Sequence, residues 1–107
     1  MNTENIIFEF NRSELKELLR VLTIVTPDLH LNKEQSLMAK HLVHSIYSRI
    51  VNRLLSPATK KKTRFSIKPA EGVALNLVLL VVPAYAIDVY SETLIDKITS
   101  IIQQKLS

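Results

Sequence analysis

Near the start of the chain, successive side chains fall alternately on two opposite faces, which is the pattern of a β-strand. In the stretch NIIFEF, Ile6, Phe8 and Phe10 share one face and Glu9 lies on the opposite one. This period of two is typical of a short strand with one buried side. The pattern therefore predicts a β-strand over roughly residues 5–10.

A helical pattern begins directly after this strand. Asn11 and Glu14 stand three residues apart, the spacing of a capping box, in which each side chain bonds the backbone N–H of the other residue. Pro27 limits the segment, because proline interrupts the hydrogen bonds of a helix interior. The spacing predicts a helix over roughly residues 12–25, whose apolar face is formed by Leu15, Leu18, Leu19 and Leu22.

The longest periodic segment lies between two connectors that contain proline. Asn32 and Gln35 repeat the capping-box spacing, and Pro57 limits the segment at its C-terminal end. The spacing predicts a helix over roughly residues 33–55. Its apolar positions form one broad arc, which contains Met38, Ala39, Leu42, Val43, Ile46, Tyr47, Ile50 and Leu54.

Alternation returns in the stretch TRFSIK, after a basic connector. Phe65 and Ile67 alternate with polar residues, and this pattern predicts a second strand over roughly residues 63–68. We expect it to pair with the strand over 5–10. A two-stranded ribbon is marginal in water, so its apolar face must pack against the helices.

Residues 69–82 are almost wholly apolar, and two structures are compatible with their pattern. Pro69 suits the first position of a helix, and Glu71 suits the first turn near the positive end of the helix dipole. The valines favour instead a strand over 73–82, which would form a β-hairpin with 63–68. The length of the run favours a helix over roughly residues 69–82.

Apolar residues surround this helix on every side, so we expect it to be the central buried element. Leu75, Leu79 and Val82 are predicted to be buried. Asn76 is the one polar side chain between Gly72 and Val82. We expect it to form a hydrogen bond, because an unpaired buried amide costs about 1 to 3 kcal/mol. A role in helix register or self-association is the alternative.

The last part of the chain is amphipathic. We expect a helix over roughly residues 91–106, capped by Ser91, or by Asp88 if the helix starts earlier. All these elements together predict a single globular α+β domain over residues 1–107. The domain is mainly α, with about four helices packed against a minimal two-stranded sheet.

Composition narrows the class of protein. The chain has 107 residues and no cysteine, which excludes disulfides and cysteine nucleophiles and is compatible with a reducing compartment. Its longest uncharged stretch, Gly72 to Ile87, has 16 residues, whereas a membrane-spanning helix needs about 20. The first residues carry Glu4 and Glu9 around a short apolar run, unlike a signal peptide. We therefore expect a cytoplasmic protein with no membrane partner.

Positive charge is concentrated in the middle of the chain. Residues 33–68 contain nine basic residues and one acidic residue, a net charge of +8, whereas the segments on either side each have −2. A field of this sign attracts anions whatever the fold. If about four of the basic side chains contacted phosphates of duplex DNA, log affinity would fall with log salt at a slope of about −3.6. The candidate anion-binding residues are Arg49, Arg53, Lys60, Lys61, Lys62 and Arg64.

No pattern of residues indicates catalysis. A single glycine excludes a glycine-rich phosphate loop, and the serines and carboxylates have no base near them in sequence. His41 and His44, with His30 from the preceding loop, are candidate metal ligands, but no carboxylate or cysteine completes a ligand motif. We therefore expect no catalytic residues, no metal and no cofactor.

Two functions fit these features. The first is a small noncatalytic protein-interaction module, in which a protein partner or a second copy of the chain covers surplus apolar surface. The alternative is a nucleic-acid or polyanion binder that contacts phosphates through the basic segment 49–68. Salt distinguishes them, because phosphate contacts weaken steeply as salt rises and apolar contacts do not.

Overall fold

The structure is a computed structural model that describes residues 4–25, 33–56 and 62–106. Within these ranges it confirms the predicted α+β class, mainly α, with four α-helices and one two-stranded sheet. In chain order the elements are β1 (Ile6–Phe10), α1 (Arg12–Val25), α2 (Lys33–Leu55), β2 (Thr63–Ile67), α3 (Pro69–Leu80), a 3₁₀ helix (Ala84–Ala86) and α4 (Val89–Leu106).

The two strands form an antiparallel ribbon, as predicted. Ile6 lies opposite Ile67, and Phe8 lies opposite Phe65. All four side chains are buried, because alternation along each strand directs them to the face that packs on the helices. The ring of Phe8 stacks on that of Phe10 with centroids 5.4 Å apart. The ribbon therefore contributes an aromatic layer to the core.

The alternative β-hairpin of residues 63–68 with 73–82 is wrong. The later residues belong to α3, and β2 pairs with β1 instead. Leucine and alanine favour helix over strand, and the helix start is well capped. The Lys68 N–H donates to Glu71 Oε1 at 2.8 Å, which satisfies a donor that the first helical turn would otherwise leave unpaired. Local capping thus decides between the two structures.

Reciprocal capping also fixes the start of α1. The Glu14 N–H donates to Asn11 Oδ1 at 2.7 Å, and the Asn11 N–H donates to Glu14 Oε1 at 2.9 Å. This is the predicted capping box. The helix then buries the inner part of its apolar face, which consists of Leu15, Leu18, Val21 and Leu22.

The start of α2 lies at the edge of the described chain. The predicted capping pair, Asn32 and Gln35, falls outside the residues whose side chains are described, as do Met38 and Ala39. Further along α2 the predicted apolar arc is confirmed. Its buried members are Val43, Ile46 and Ile50, while Leu42, Tyr47 and Leu54 are partly buried and pack against the core.

Helix α3 supplies the centre of the core but ends two residues earlier than predicted. It stops at Leu80, and Val81 leaves the helical region with φ −106° and ψ 13°. Pro83 accounts for this end, because the residue before a proline disfavours helical backbone. Leu75 and Leu79 are buried as predicted. The third predicted core residue, Val82, lies beyond the helix and is partly buried against the core.

The expectation that α3 is the central buried element is confirmed for one side of the helix and wrong for the other. The helix packs against α1, α2 and α4, and these contacts cover the side that holds Leu75, Val78 and Leu79. On the opposite side Val73 and Leu77 are exposed. In the part of the chain that the structure describes, the neighbouring elements reach only one side of the helix.

The predicted hydrogen bond of Asn76 is not formed at its carbonyl oxygen within the described residues. Its Oδ1 atom is buried and accepts no hydrogen bond from the described residues. The side chains one helical turn away, at Val73, Leu79 and Leu80, are aliphatic and carry no donor. Asn76 lies between the buried and the exposed side of α3, so this oxygen is an unsatisfied acceptor at the border of the core.

Helix α4 starts at Val89, two residues before the predicted position, because Asp88 is the cap. The Ser91 N–H donates to Asp88 Oδ1 at 2.8 Å, and the Asp88 N–H donates to Ser91 Oγ at 2.8 Å. Further along α4, Lys97 Nζ donates to the Glu9 carbonyl oxygen at 2.9 Å and pairs with the Glu14 carboxylate at 3.0 Å. This lysine joins α4 to β1 and α1.

These carboxylate contacts predict that acid weakens the fold. Partial burial raises the pKa of Glu14, but the Asn11 N–H and Lys97 lower it by more, so this pKa lies below its usual range. The Ser91 N–H and hydroxyl likewise hold the pKa of Asp88 below its usual range. A lowered carboxyl pKa stabilises the folded state above the unfolded pKa, and this stabilisation is lost as pH falls through the folded pKa.

We therefore expect the free energy of unfolding, measured in urea, to decrease as pH is lowered from about 5 to about 2. Glu14→Gln should make this decrease less steep, because the variant has one fewer proton to take up on unfolding. Asp96→Asn, at an exposed position of α4, is the control and should leave the slope closer to wild type. Equal slopes for wild type and Glu14→Gln would contradict the role assigned to this carboxylate.

Candidate functional site

One side of α3 forms an exposed apolar surface, which we call the α3 face. It consists of Val73, Leu77, Leu80 and the adjoining Val81, whose exposed fractions are 48%, 39%, 66% and 45%. Within α3 the only other exposed residue is Ala70. The members lie three or four residues apart and therefore share one side of the helix. Every exposed position of α3 is thus apolar.

Helix α1 has the opposite character. All its exposed described positions are polar or charged, as on an ordinary surface helix. A helix that is apolar on every side normally has all its sides covered by other groups. The contrast between the two helices makes the α3 face a candidate contact surface. The exposed positions of α1 are Arg12, Ser13, Lys16, Arg20 and Thr23.

Exposed apolar residues continue in the chain beyond α3. Tyr85 of the 3₁₀ helix is 82% exposed and Val89, the first residue of α4, is 81% exposed. No charged residue occurs between Glu71 and Asp88. A partner that meets the α3 face therefore meets no charge from this stretch of chain, and the desolvation cost of contact is low.

A second surface is a groove between α2 and β2, which we call the arginine groove. On α2, Arg49, Asn52, Arg53 and Ser56 follow the i, i+3, i+4, i+7 spacing of one helical face. On β2, Arg64 and Ser66 alternate with the buried Phe65, and all three border the groove. The cavity has a volume of about 690 Å³ and is open to solvent. None of these lining residues is acidic.

Arg49 is held in place at the floor of this groove. Its guanidinium donates to the Ser66 carbonyl oxygen at 2.6 Å and to Glu71 Oε2 at 2.7 Å. It also lies 5.3 Å from the centroid of the Phe65 ring, in cation–π range. The Glu71 side chain is 7% exposed and the Arg49 side chain 39%. Arg49 therefore neutralises a nearly buried carboxylate.

Arg53 and Arg64 are differently placed. Both are exposed, and neither side chain has an ion-pair or hydrogen-bond partner among the residues that the structure describes. In the pairing of β1 with β2, the acidic residue Glu9 lies opposite Arg64. These two guanidinium groups are thus the available charges of the arginine groove.

The structure brings three of the six candidate anion-binding residues together. Arg49, Arg53 and Arg64 line one groove. Lys62 is exposed and does not border it, and its charge helps to lower the pKa of Glu14 instead. The other two candidates, Lys60 and Lys61, lie outside the described residues.

Arg12, which was not among the predicted site residues, caps the end of α2 beside the groove. Its guanidinium donates to the carbonyl oxygens of Leu54 and Ser56. The last carbonyl groups of a helix lack partners within the helix and carry the negative end of its dipole. Arg12 covers two of them with positive charge. Sequence alone gave no signal for this contact, because the partners are more than 40 residues apart.

The candidate metal ligands do not converge in the described ranges. His41 and His44 are exposed on α2, and His30 lies outside the described residues. Among the residues that the structure covers, no group of three or more histidine, cysteine, aspartate or glutamate side chains could hold a metal ion.

A further open depression of about 370 Å³ lies between α1 and the start of α4, and it is bordered by Ser13, Lys16, Glu17, Arg20, Asp88 and Tyr90.

The α3 face could not be located from the sequence. Every position from Val73 to Val81 except Asn76 is apolar, so hydropathy does not distinguish the inner side of α3 from its outer side. What the sequence did predict was a surplus of apolar surface, to be covered by a protein partner or by a second copy of the chain.

Comparison with protein families, characterised proteins and solved structures found no match to this chain. Over residues 4–25, 33–56 and 62–106, no helix combines the length and the apolar character that crossing a bilayer requires. The two surfaces described above are therefore the features on which a functional interpretation depends.

Proposed function

We propose that this chain is a small noncatalytic cytoplasmic protein-interaction module that associates with a second copy of itself through the α3 face. The observation that carries the proposal is the exposure of Val73, Leu77, Leu80 and Val81 on one side of a helix with no exposed polar position. Exposed apolar patches of about 300 to 600 Å² are the largest on typical monomers and are often functional.

A protein partner suits the α3 face better than a lipid surface does. Helices that lie on membranes combine an apolar side with a polar side rich in lysine and arginine. The residues of α3 include no lysine or arginine, and the side opposite the α3 face is buried in the core. Contact with another apolar protein surface requires no such charges.

Symmetry and charge favour a second copy of the chain as the partner. A two-fold interface brings the same surface of two copies together, so the α3 face would meet its own apolar residues. The chain has a net charge of +4, and two copies repel each other wherever their charged surfaces meet. The uncharged stretch from Gly72 to Ile87 is where this repulsion is smallest.

We expect wild-type protein to sediment as a dimer and Leu80→Glu to sediment as a monomer. Leu80 is 66% exposed, so glutamate there places a charge in the interface without burying one in the core of the monomer. The dissociation constant of the dimer should rise at least about tenfold, which corresponds to about 1.4 kcal/mol. Raising salt to about 0.5 M should not dissociate the wild-type dimer, because its contact is apolar.

Leu55→Glu is the matched control. Leu55 is 79% exposed at the end of α2, so this variant makes the same chemical change outside the α3 face and should remain dimeric. A wild-type protein that stays monomeric at high micromolar concentration would contradict self-association. Equal loss of dimer in Leu55→Glu and Leu80→Glu would show that the α3 face is not the interface.

A further inference from the structure

We propose that the arginine groove binds the phosphate group of a ligand, with Arg53 and Arg64 as the contacting residues. This site is separate from the α3 face and does not depend on self-association. The first reason is the local geometry. Helical spacing places Arg53 on the polar face of α2, and strand alternation places Arg64 on the outer side of β2. The two elements thus direct two guanidinium groups toward one cavity of about 690 Å³.

The second reason is the chemistry of these side chains. A guanidinium is planar and carries its N–H donors in a fork that matches two oxygens of a phosphate. Arg53 and Arg64 have no acidic partner among the described residues, and the lining contains no carboxylate. Asn52 adds an exposed amide beside them. An anion entering the groove would therefore meet hydrogen-bond donors from its lining, and the acid nearest to them in the ribbon register is Glu9, opposite Arg64.

Arg49 acts here as a positioning residue. Its two terminal nitrogens are already bonded to Ser66 and Glu71, so its charge is largely neutralised. Its contribution is to fix the floor of the groove by joining α2 to β2 and α3. Arg53 and Arg64 thus contact the ligand, whereas Arg49 has a structural role.

The end of α2 beside the groove would ordinarily disfavour an anion, because the C-terminal end of a helix dipole is negative. Arg12 offsets this effect. Its bonds to the carbonyl oxygens of Leu54 and Ser56 place a positive charge over the helix end. Arg12 thus reduces the unfavourable effect of the helix end on an anion in the groove.

The site matches a phosphate group better than a nucleic-acid base. Base recognition in single strands depends on exposed aromatic rings for stacking. The aromatic ring of the groove belongs to Phe65, which is buried and covered by Arg49. Two contacts also predict a shallow salt dependence. On a single-stranded oligonucleotide, log affinity should fall with log salt at a slope of about −1.4, and not at the steeper slope expected from four contacts.

The test is a titration of the full chain with two probes, pyrophosphate and a single-stranded oligothymidylate, at about 50 mM salt, where phosphate contacts are strong. Arg53→Ala/Arg64→Ala should weaken binding of the effective probe at least tenfold and leave the melting temperature nearly unchanged, because both residues are exposed. Glu9→Gln should strengthen binding, since it removes the acid opposite Arg64.

Lys16→Ala/Lys40→Ala is the matched control. It also removes two positive charges, but from exposed positions on α1 and α2, and should leave binding nearly unchanged. Saturable binding of pyrophosphate alone would identify a small phosphate compound as the ligand. Oligonucleotide binding that pyrophosphate displaces would identify a phosphate polymer. Absence of binding by both probes would overturn the proposal, as would equal weakening in the control.

Discussion

Leu79→Asp is expected to unfold the protein. Leu79 is 3% exposed on the side of α3 that contacts the core, next to the buried residues Leu75 and Val78. A carboxylate there would be buried in the apolar core, and the cost of burying it exceeds what a fold with about 5 to 15 kcal/mol of stability can tolerate. Far-ultraviolet circular dichroism should show loss of helix, and thermal melts should show no cooperative transition.

The neighbouring residue provides the control for this variant. Leu80 is 66% exposed, so Leu80→Asp makes the same change one position along the helix but leaves the new charge in water. We expect this variant to melt cooperatively, near wild type under conditions where the wild type is monomeric. If Leu79→Asp also melted near wild type, the assignment of the inner side of α3 would be wrong.

Arg49→Met is expected to have the second-largest effect on stability. It leaves the Glu71 carboxylate, which is 7% exposed, with the Lys68 N–H as its one remaining partner in the described chain. Breaking a buried ion pair by removing one partner costs about 3 to 5 kcal/mol. The exposed side of the Arg49 guanidinium reduces this, and we expect a loss of about 2 to 4 kcal/mol in urea unfolding.

A double variant distinguishes the lost charge from lost packing. Arg49→Met/Glu71→Gln removes both charges but keeps an oxygen that can accept from the Lys68 N–H, so it should recover part of the loss. Lys105→Met removes a cation from an exposed pair with Glu4 and should change stability by less than about 1 kcal/mol. A loss of that small size for Arg49→Met would mean that the Arg49–Glu71 pair does not support the fold.

The sequence predicted the order and type of the strands and α-helices because their signals are local. Asn11 with Glu14 at the start of α1, and Pro83 after the end of α3, act within a few residues and are legible in the chain. The same reasoning predicted the start of α4 two residues late, because it favoured Ser91 over Asp88 as the cap. Both residues belong to one reciprocal cap, so the first of them sets the start.

The surfaces were less predictable because they depend on tertiary contacts. The basic segment 49–68 was visible in the sequence as a run of positive charge. The sequence did not show which of its side chains pair with an acid and which do not. Only the fold shows that Arg49 pairs with Glu71, 22 residues away, whereas Arg53, one helical turn later, meets no acid in the described chain. Likewise, no local signal distinguishes Leu79 from Leu80, although one is buried and the other exposed.

The two-stranded ribbon has a consequence for the solubility of the protein. A ribbon of two strands has two outer edges, and an open edge can recruit a strand from another molecule. Here the Glu9 carbonyl oxygen on β1 accepts a bond from Lys97, and the Ser66 carbonyl oxygen on β2 accepts one from Arg49. Each outer edge thus carries a cation from a neighbouring helix. An incoming strand would have to displace it, so we expect these contacts to disfavour pairing of the ribbon edges with a strand of another molecule.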